Sequence, residues 1–207
     1  MEIDFSIKQP KKTALLIVIS GPSGIGKDTV VQGLKTRNLP FHFVITATSR
    51  EPRCNEVDGV DYLFYSKEKF KAMIEAGEFI EHAKVYSDYK GVPKQHVRQA
   101  LDSGKDVIMR LDFQGAKTIR ELVPEAILIF LTAKSKEEWL QRLKSRRSES
   151  EEELSVRINT AKFEFDSLDF FDYIVVNEQC RLEQTLDIIE SIIVAEHHRV
   201  HPKQVNL

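Results

Sequence analysis

The run Leu15-Leu16-Ile17-Val18-Ile19-Ser20 feeds directly into Gly21-Pro22-Ser23-Gly24-Ile25-Gly26-Lys27. A short apolar run bounded by turn residues reads as a strand buried on both faces. The glycines that follow permit positive φ and let the main chain approach an anion closely. A helix beginning near Gly26 adds its unpaired N–H groups and its dipole. Lys27 then reaches the outer phosphates of a nucleoside triphosphate. The pattern demands a strand, a phosphate-binding turn and a helix in that order, and it predicts binding of ATP or GTP.

One position departs from the motif. Ser or Thr is expected after the lysine, to place a hydroxyl on Mg²⁺, and this chain has Asp28. Thr29 follows, but one residue along a helix turns a side chain by about 100°, away from the same metal. A carboxylate is a good hard ligand for Mg²⁺ and is also favoured in the first turn of a helix. Asp28 is therefore read in two ways, as a metal ligand or as a first-turn residue that complements the helix dipole.

The rest of the chain supports an α/β protein. Strand-like runs at Leu15–Ser20, Phe41–Thr46, Asp106–Leu111, Ala126–Leu131 and Tyr173–Val176 alternate with helical patterns at Lys27–Lys35, Gln114–Leu122, Ser135–Arg147 and Leu182–His197. That alternation is the mark of a parallel sheet. Ser135 with Glu138 reads as a capping box. Residues 47–104 break the alternation with Pro52, Gly59, Gly77, Gly91 and Pro93 among short runs such as Asp61-Tyr62-Leu63-Phe64-Tyr65, and read as an inserted mixed α+β subdomain. Residues 141–157 are dense in charge and poor in apolar side chains, so they are expected to be mobile or to act as a lid. The core is then 1–46 and 105–207.

A formal net charge of −2 gives no overall attraction to nucleic acid or to an anionic membrane. Cys54 and Cys180 stand far apart in no metal-ligand spacing, which argues against a disulfide scaffold and a zinc site. His197, His198 and His201 read as a solvated helix end, and Trp139, Phe163, Phe165, Phe170 and Phe171 as core or hinge packing.

Arg50 and Arg53, with Glu56 three residues further and Tyr62 beyond, make sense as a phosphate pocket of fork-shaped, charge-assisted hydrogen bonds. A solvated loop with surface ion pairs is the other reading. A carboxylate such as Glu81 suits the N1–H and exocyclic amine of guanine. Here the chain resembles guanylate kinase. The resemblance runs from about Leu15 to Ile193 and rests on specific strings. They are the phosphate loop, Thr48-Ser49-Arg50-x-Pro52-Arg53-x-x-Glu56-x-x-Gly59-x-Asp61-Tyr62, Phe79-Ile80-Glu81, Asp112-x-Gln114-Gly115 and Asp172-Tyr173-Ile174-Val175-Val176-Asn177.

The resemblance implies a P-loop NTP hydrolase-like core, a GMP-binding insert and a helical lid, and transfer of the γ-phosphoryl of ATP to GMP or dGMP with Mg²⁺. Carried over residue by residue, Arg50, Arg53, Tyr62 and Lys90 would hold the GMP phosphate, with Glu56 supporting the arginines. Glu81, Thr46 and Asp112 would read the guanine. Ser23, Gly24, Gly26, Lys27, Asp28 and Thr29 would hold the ATP phosphates, and Asn177 would lie near the adenine. Arg142 and Arg146, one helical turn apart, would come from the lid with Arg157 to join Lys27 at the transferring group. A solvated basic helix face is the plainer account of Arg142, Lys144, Arg146 and Arg147.

Three departures stand out. The family's Tyr-Gly-Ser or Tyr-Gly-Thr run is Tyr89-Lys90-Gly91-Val92 here, so Lys90 replaces a phenol and Val92 a hydroxyl. Losing one hydrogen bond costs about 0.5–1.5 kcal/mol. Arg110 stands where the family has an acid, and pairing with Asp28 would restore the local charge. These strings resemble the plant organellar branch, which implies a plastid or mitochondrial location after removal of a transit peptide. A microbial cytoplasmic enzyme is the alternative. GMP and ATP are the expected partners, without nucleic acid or membrane, in a monomer or weak dimer. The rival functions are a phosphopeptide-binding module of the same fold and a kinase for a different phosphorylated acceptor.

Overall fold

Leu16–Ser20 forms the first strand, β1, and its residues are buried on both faces as an apolar run requires. The computed structural model describes residues 13–54, 56–85, 87–144, 151–205 and 207. After β1 come α1 (Lys27–Thr36), β2 (Phe41–Phe43), β3 (Ala47–Thr48), β4 (Leu63–Phe64), α2 (Lys67–Glu75), β5 (Phe79–Val85), β6 (Asp88–Pro93) and α3 (Lys94–Asp102). The chain continues with β7 (Asp106–Arg110), α4 (Phe113–Leu122), β8 (Ile127–Thr132), α5 (Lys136–Lys144), α6 (Glu151–Phe165), β9 (Tyr173–Val176) and α7 (Leu182–His197).

Two sheets result. The parallel sheet has the order β2-β7-β1-β8-β9, with β1 at its centre. Alternate residues of β1 serve opposite faces. Ile17 and Ile19 pack with Val30 and Leu34 of α1, Trp139 and Leu143 of α5, and Ile189 and Ile193 of α7. Leu16 and Val18 pack with Ala116 and Ile119 of α4 and Val97 of α3. The second sheet has the order β4-β3-β6-β5 and is mixed. Its Ile80 and Val92 join the same core as Leu16 and Val18, which fixes it to the parallel sheet. Its other face has a core of its own, where Phe70 stacks on Phe79 at 4.4 Å between ring centroids and on Tyr89 at 5.6 Å.

The fold differs from the sequence reading in three places. The expected strand Phe41–Thr46 stops at Phe43. Val44 still donates to the carbonyl of Ile108, and the chain then crosses to the second sheet to begin β3. The described parts of residues 141–157 are helical, in keeping with a helical lid, and Leu143 is buried. Arg142 pairs with Glu138 one turn earlier on the same helix. His197 is no solvated end: its Nε2 lies 2.8 Å from Asp106 Oδ2, while Asp106 Oδ1 accepts from the Leu15 N–H at 3.0 Å. The capping box is half formed. Ser135 Oγ accepts from the Glu138 N–H at 3.2 Å, but the Glu138 carboxylate goes to Arg142 and to the Gln179 N–H.

Phe70 is the largest wholly enclosed side chain of the second sheet's core. Phe70→Ala is expected to cost about 3–5 kcal/mol. Urea unfolding reads that loss. Hydrogen exchange should lose protection first at β5 and β6 while β1, β7 and β8 stay protected.

Candidate active site

The turn after β1 is built from side chains that come from far along the chain. Gly21 has φ +143° and a side chain there would collide with the Leu131 carbonyl oxygen. Gly26 has φ +96° and opens α1, and a Cβ on it would stand 2.7 Å from Asn177 Nδ2. Asn177 occupies that space in order to donate to the Ile25 carbonyl at 2.9 Å, and it is held in turn by the Thr185 hydroxyl at 3.1 Å. Trp139 donates its indole N–H to the Ser23 carbonyl at 2.9 Å. Arg157 of α6 donates to Ser23 Oγ at 2.9 Å. Arg142 of α5 donates to the Ile25 and Asn177 carbonyls and pairs with Glu138. Lys27 bends back and donates to the carbonyls of Gly21 at 2.5 Å and Pro22 at 3.1 Å.

Lys27 also faces a cleft of about 230 Å³ that it shares with Thr46, Tyr62, Glu81, Lys90, Arg110 and Asp112. Burial first, and the charge of Asp112 second, push the Glu81 carboxyl up from 4.5 to about 7. Asp112 caps α4, accepting from the Gly115 N–H at 2.8 Å. Gly115 leaves room for its neighbour, since a Cβ there would meet Glu81 Oε2 at 3.2 Å. A second cleft of about 240 Å³ lies alongside, shares Thr46, Tyr62 and Arg110, and adds Asp28 and Glu56. Arg110 and Asp28 form an ion pair between the end of β7 and the first turn of α1.

Arg50 takes both carboxylate oxygens of Glu56 at 2.5 and 2.6 Å, and lies 5.0 Å over the Tyr62 ring. The hydrogen bonds from Arg50, then the Arg53 N–H, hold the Glu56 carboxyl down at about 2. Lys90 Nζ stands 5.8 Å over the other partner of that stack, the Tyr62 ring.

The sequence-predicted residues therefore fall into two groups. Ser23, Gly24, Gly26, Lys27, Asn177, Arg142 and Arg157 meet around the turn, and Thr46, Tyr62, Glu81, Lys90 and Asp112 meet Lys27 in the cleft. Asp28, Arg50 and Glu56 lie beside it, the last two joined by their salt bridge. Arg53 and Thr29 are exposed, and Arg53 reaches Glu56 through its main chain. Arg146 lies outside the described residues. Sequence reasoning used Arg110 only as a partner for Asp28, whereas it lines both clefts; its place two residues before Asp112 was the available signal. It gave Trp139 only a packing role, and it missed Glu164, whose carboxyl burial pushes up to about 7. Among the described residues, no group of three or more His, Cys, Asp or Glu is arranged to hold a metal ion.

The sequence profile of guanylate kinase matches residues 13–196, which takes in both sheets and every site residue named in this section. The chain belongs to the guanylate kinase family. It is 48% identical over 199 residues to guanylate kinase 2, chloroplastic/mitochondrial, of Oryza sativa subsp. japonica, covering 96% of this chain and 70% of the relative. It is 43% identical over 187 residues to guanylate kinase of Halalkalibacterium halodurans, covering 90% and 91%. The crystal structure of guanylate kinase from Anaplasma phagocytophilum superimposes with a TM-score of 0.71 at 30% identity, covering 92% of this chain and 89% of that one.

In this guanylate kinase fold the raised Glu81 carboxyl has a measurable consequence. Its folded value of about 7 lies above the ordinary 4.5, so the folded protein binds the proton more tightly than the unfolded chain. Its contribution is fully present below pH 4.5 and is lost as pH rises through 7. Glu81→Gln should therefore melt higher than the wild type at pH 8, with the advantage shrinking to nothing by about pH 4. Thermal unfolding across that range checks it.

Proposed function

We infer that this protein transfers the γ-phosphoryl group of ATP to GMP, and to dGMP, giving ADP and the guanosine diphosphate. The observation that carries the inference is one cleft in which the phosphate-loop lysine, Lys27, faces two carboxylates, Glu81 and Asp112. The lysine suits the phosphates of ATP, and the carboxylates suit the N–H donors on guanine's edge, a pair of donors that adenine lacks.

Such a transfer asks for little covalent chemistry from the protein. It needs two phosphates in line, charge neutralised on the moving group, and water excluded. Lys27, Arg142, Arg157 and, from the undescribed stretch, Arg146 are the cations for that role. Arg50, Arg53, Tyr62 and Lys90 would hold the acceptor phosphate, and Glu56 keeps Arg50 oriented through its two-oxygen salt bridge. Glu81, Thr46 and Asp112 would read the base. Ser23, Gly24, Gly26, Asp28 and Thr29 would follow the ATP phosphates, with Asn177 toward the adenine. Residues 47–104 would act as the GMP-binding part and 141–157 as the lid, closing to exclude water.

Asp28 fits the requirement for a Mg²⁺ ligand. Its side chain is 70% exposed at the first turn of α1, next to Lys27, and one of its oxygens is engaged by Arg110. Mg²⁺ takes one or two carboxylates together with substrate phosphates, and when bound it supplies charge neutralisation between them. Arg110 then serves to hold Asp28 in place. A plastid or mitochondrial location is the matching proposal for the cell, supported by the likeness to the rice relative.

ADP formation from ATP and Mg²⁺ should depend on GMP, with AMP slower by about a hundredfold or more. Equal rates with AMP or with a ribose phosphate would move the assignment to a different acceptor. ATP binding without any turnover would make it a binding module. In a second test, Asp28→Asn and Arg110→Met should each raise the Mg²⁺ needed for half-maximal rate. Because the two side chains touch, the double variant should fall short of the sum by about 0.5–3 kcal/mol. Additive effects would mean that the pair does not act as a unit.

A further inference from the structure

The end of β8, the first turn of α5 and the second half of α6 border a cavity of about 500 Å³. It is larger than either cleft of the candidate active site, and none of the residues assigned above to ATP or GMP lines it. Its apolar lining comes from Trp139, Ile158 and Phe165. Trp139 is buried and Ile158 packs against the same core, while Phe165 stands half open and meets the buried Phe130 edge-on at 5.6 Å between ring centroids. These walls are therefore held from behind.

The charged lining is lopsided. Lys134, Lys136 and Lys162 stand around the cavity against one carboxylate, Asp166. Lys134 is paired with Glu178 at 2.8 Å, whereas Lys136 and Lys162 are exposed and have no ion-pair partner among the described residues. A cavity of this volume, mostly apolar with a few charged groups, has the make-up of a small-molecule site. A bare inorganic anion would leave the apolar walls unused, and an uncharged ligand would leave the lysines unused. An apolar body with one anionic group uses both, because lysine stems lie along apolar surface while their ammonium groups reach a charge at its edge. Trp139 and Phe165 favour a body that is aromatic. The cavity also touches the phosphate loop at one remove. Trp139 donates to the Ser23 carbonyl and Arg157, next to Ile158, donates to Ser23 Oγ, both at 2.9 Å. The two helices that border the cavity thus hold the same residue of the loop.

We propose that this cavity is a second ligand site, which takes a small aromatic anion, a ring system carrying one carboxylate or sulfonate, and couples it to the phosphate loop through Ser23. The rings lie against Trp139, Ile158 and Phe165, and the anionic group lies between Lys136 and Lys162. A ligand seated there bears on both side chains that hold Ser23, so its affinity and that of ATP are linked, each changing the other by the same factor. The site itself goes beyond the phosphotransfer reading above, and only its coupling to ATP rests on that reading.

The test titrates the full chain with anilinonaphthalene sulfonate, read by energy transfer from Trp139, the only tryptophan of the chain. Binding should saturate at one dye per chain. Lys136→Glu and Lys162→Glu each turn an attraction at the sulfonate into a repulsion and should weaken the dye about fivefold or more. Phenylnaphthylamine, the same rings without the sulfonate, should bind both variants within about twofold of the wild type. Both lysines are exposed, so the variants should melt like the wild type. Unchanged affinity for the sulfonate in both variants would overturn the proposal, and so would an equal loss of the two dyes. Rising ATP should shift the Kd of the sulfonate dye by about two- to tenfold and then reach a plateau. Displacement that keeps growing with ATP would place the dye in the nucleotide site, and no shift at all would sever the link to Ser23; either result overturns the proposal. Failure of the phosphotransfer reading shows separately, as a wild type that forms no ADP from ATP and GMP.

Discussion

Gly21 has no room for a side chain. Its main chain passes so close to the Leu131 carbonyl that a methyl group would collide with it, and φ +143° is a conformation that L side chains rarely adopt. That contact sets the turn after β1 against the end of β8, and the rest of the site is assembled on it. The turn's carbonyls at Ser23 and Ile25 are taken by Trp139 and Arg142 of α5 and by Asn177 just after β9, two later segments of the chain. The strand order places those segments correctly. β1 lies between β7 and β8, so the residues that follow β7 and β8 emerge on either side of the turn. Asp112 and Arg110 arrive by the first route, Trp139 and Arg142 by the second.

A cleft for two anionic nucleotides carries an unexpected amount of negative charge. Glu81 and Asp112 line it beside Lys27, and Glu164 is buried within electrostatic reach of Lys27 and Asp112. Two of them are held near 7 by burial, so near neutral pH each spends much of its time uncharged. An uncharged carboxyl repels an entering phosphate less and still keeps an acceptor oxygen. The cations are balanced in a similar way: Arg50 by Glu56, Arg110 by Asp28 and Arg142 by Glu138. Phosphates therefore enter a site whose cations are already oriented by partners, and orientation, not added charge, is what such pairs contribute.

The parts of the fold legible in the sequence were those with a strong local period. β1, its turn and α1 followed from one apolar run and three glycines, and α7 runs Leu182–His197 as its pattern predicts. The Asp28–Arg110 pair was legible because two departures from a family pattern compensated each other in sign. α6 was not, because its acidic start reads as a solvated run and its packing depends on Phe113 and Phe130, remote in sequence. Glu164 was hidden for the same reason: nothing near it says which way it points. His197 looked like one of several terminal histidines until Asp106 met it at the foot of the sheet.

Val92 shows how this chain settles a conflict between binding and stability. On β6, Lys90 and Val92 share a face, and Tyr89 lies on the other with Phe70. Lys90 reaches the cleft, whereas Val92 is 1% exposed and packs with Ile80, Val97 and Ala100. A hydroxyl at this position, as the resemblance leads one to expect, would offer guanine a hydrogen bond worth about 0.5–1.5 kcal/mol. Burying a valine side chain contributes about 1.5–3 kcal/mol, and here it ties the second sheet to the core beneath the cleft. The exchange favours a firm floor over one extra contact. Glu81 and Asp112, the carboxylates proposed to read the base, are both anchored to that floor: Glu81 neighbours Ile80 on β5, and Asp112 caps the helix that packs against it.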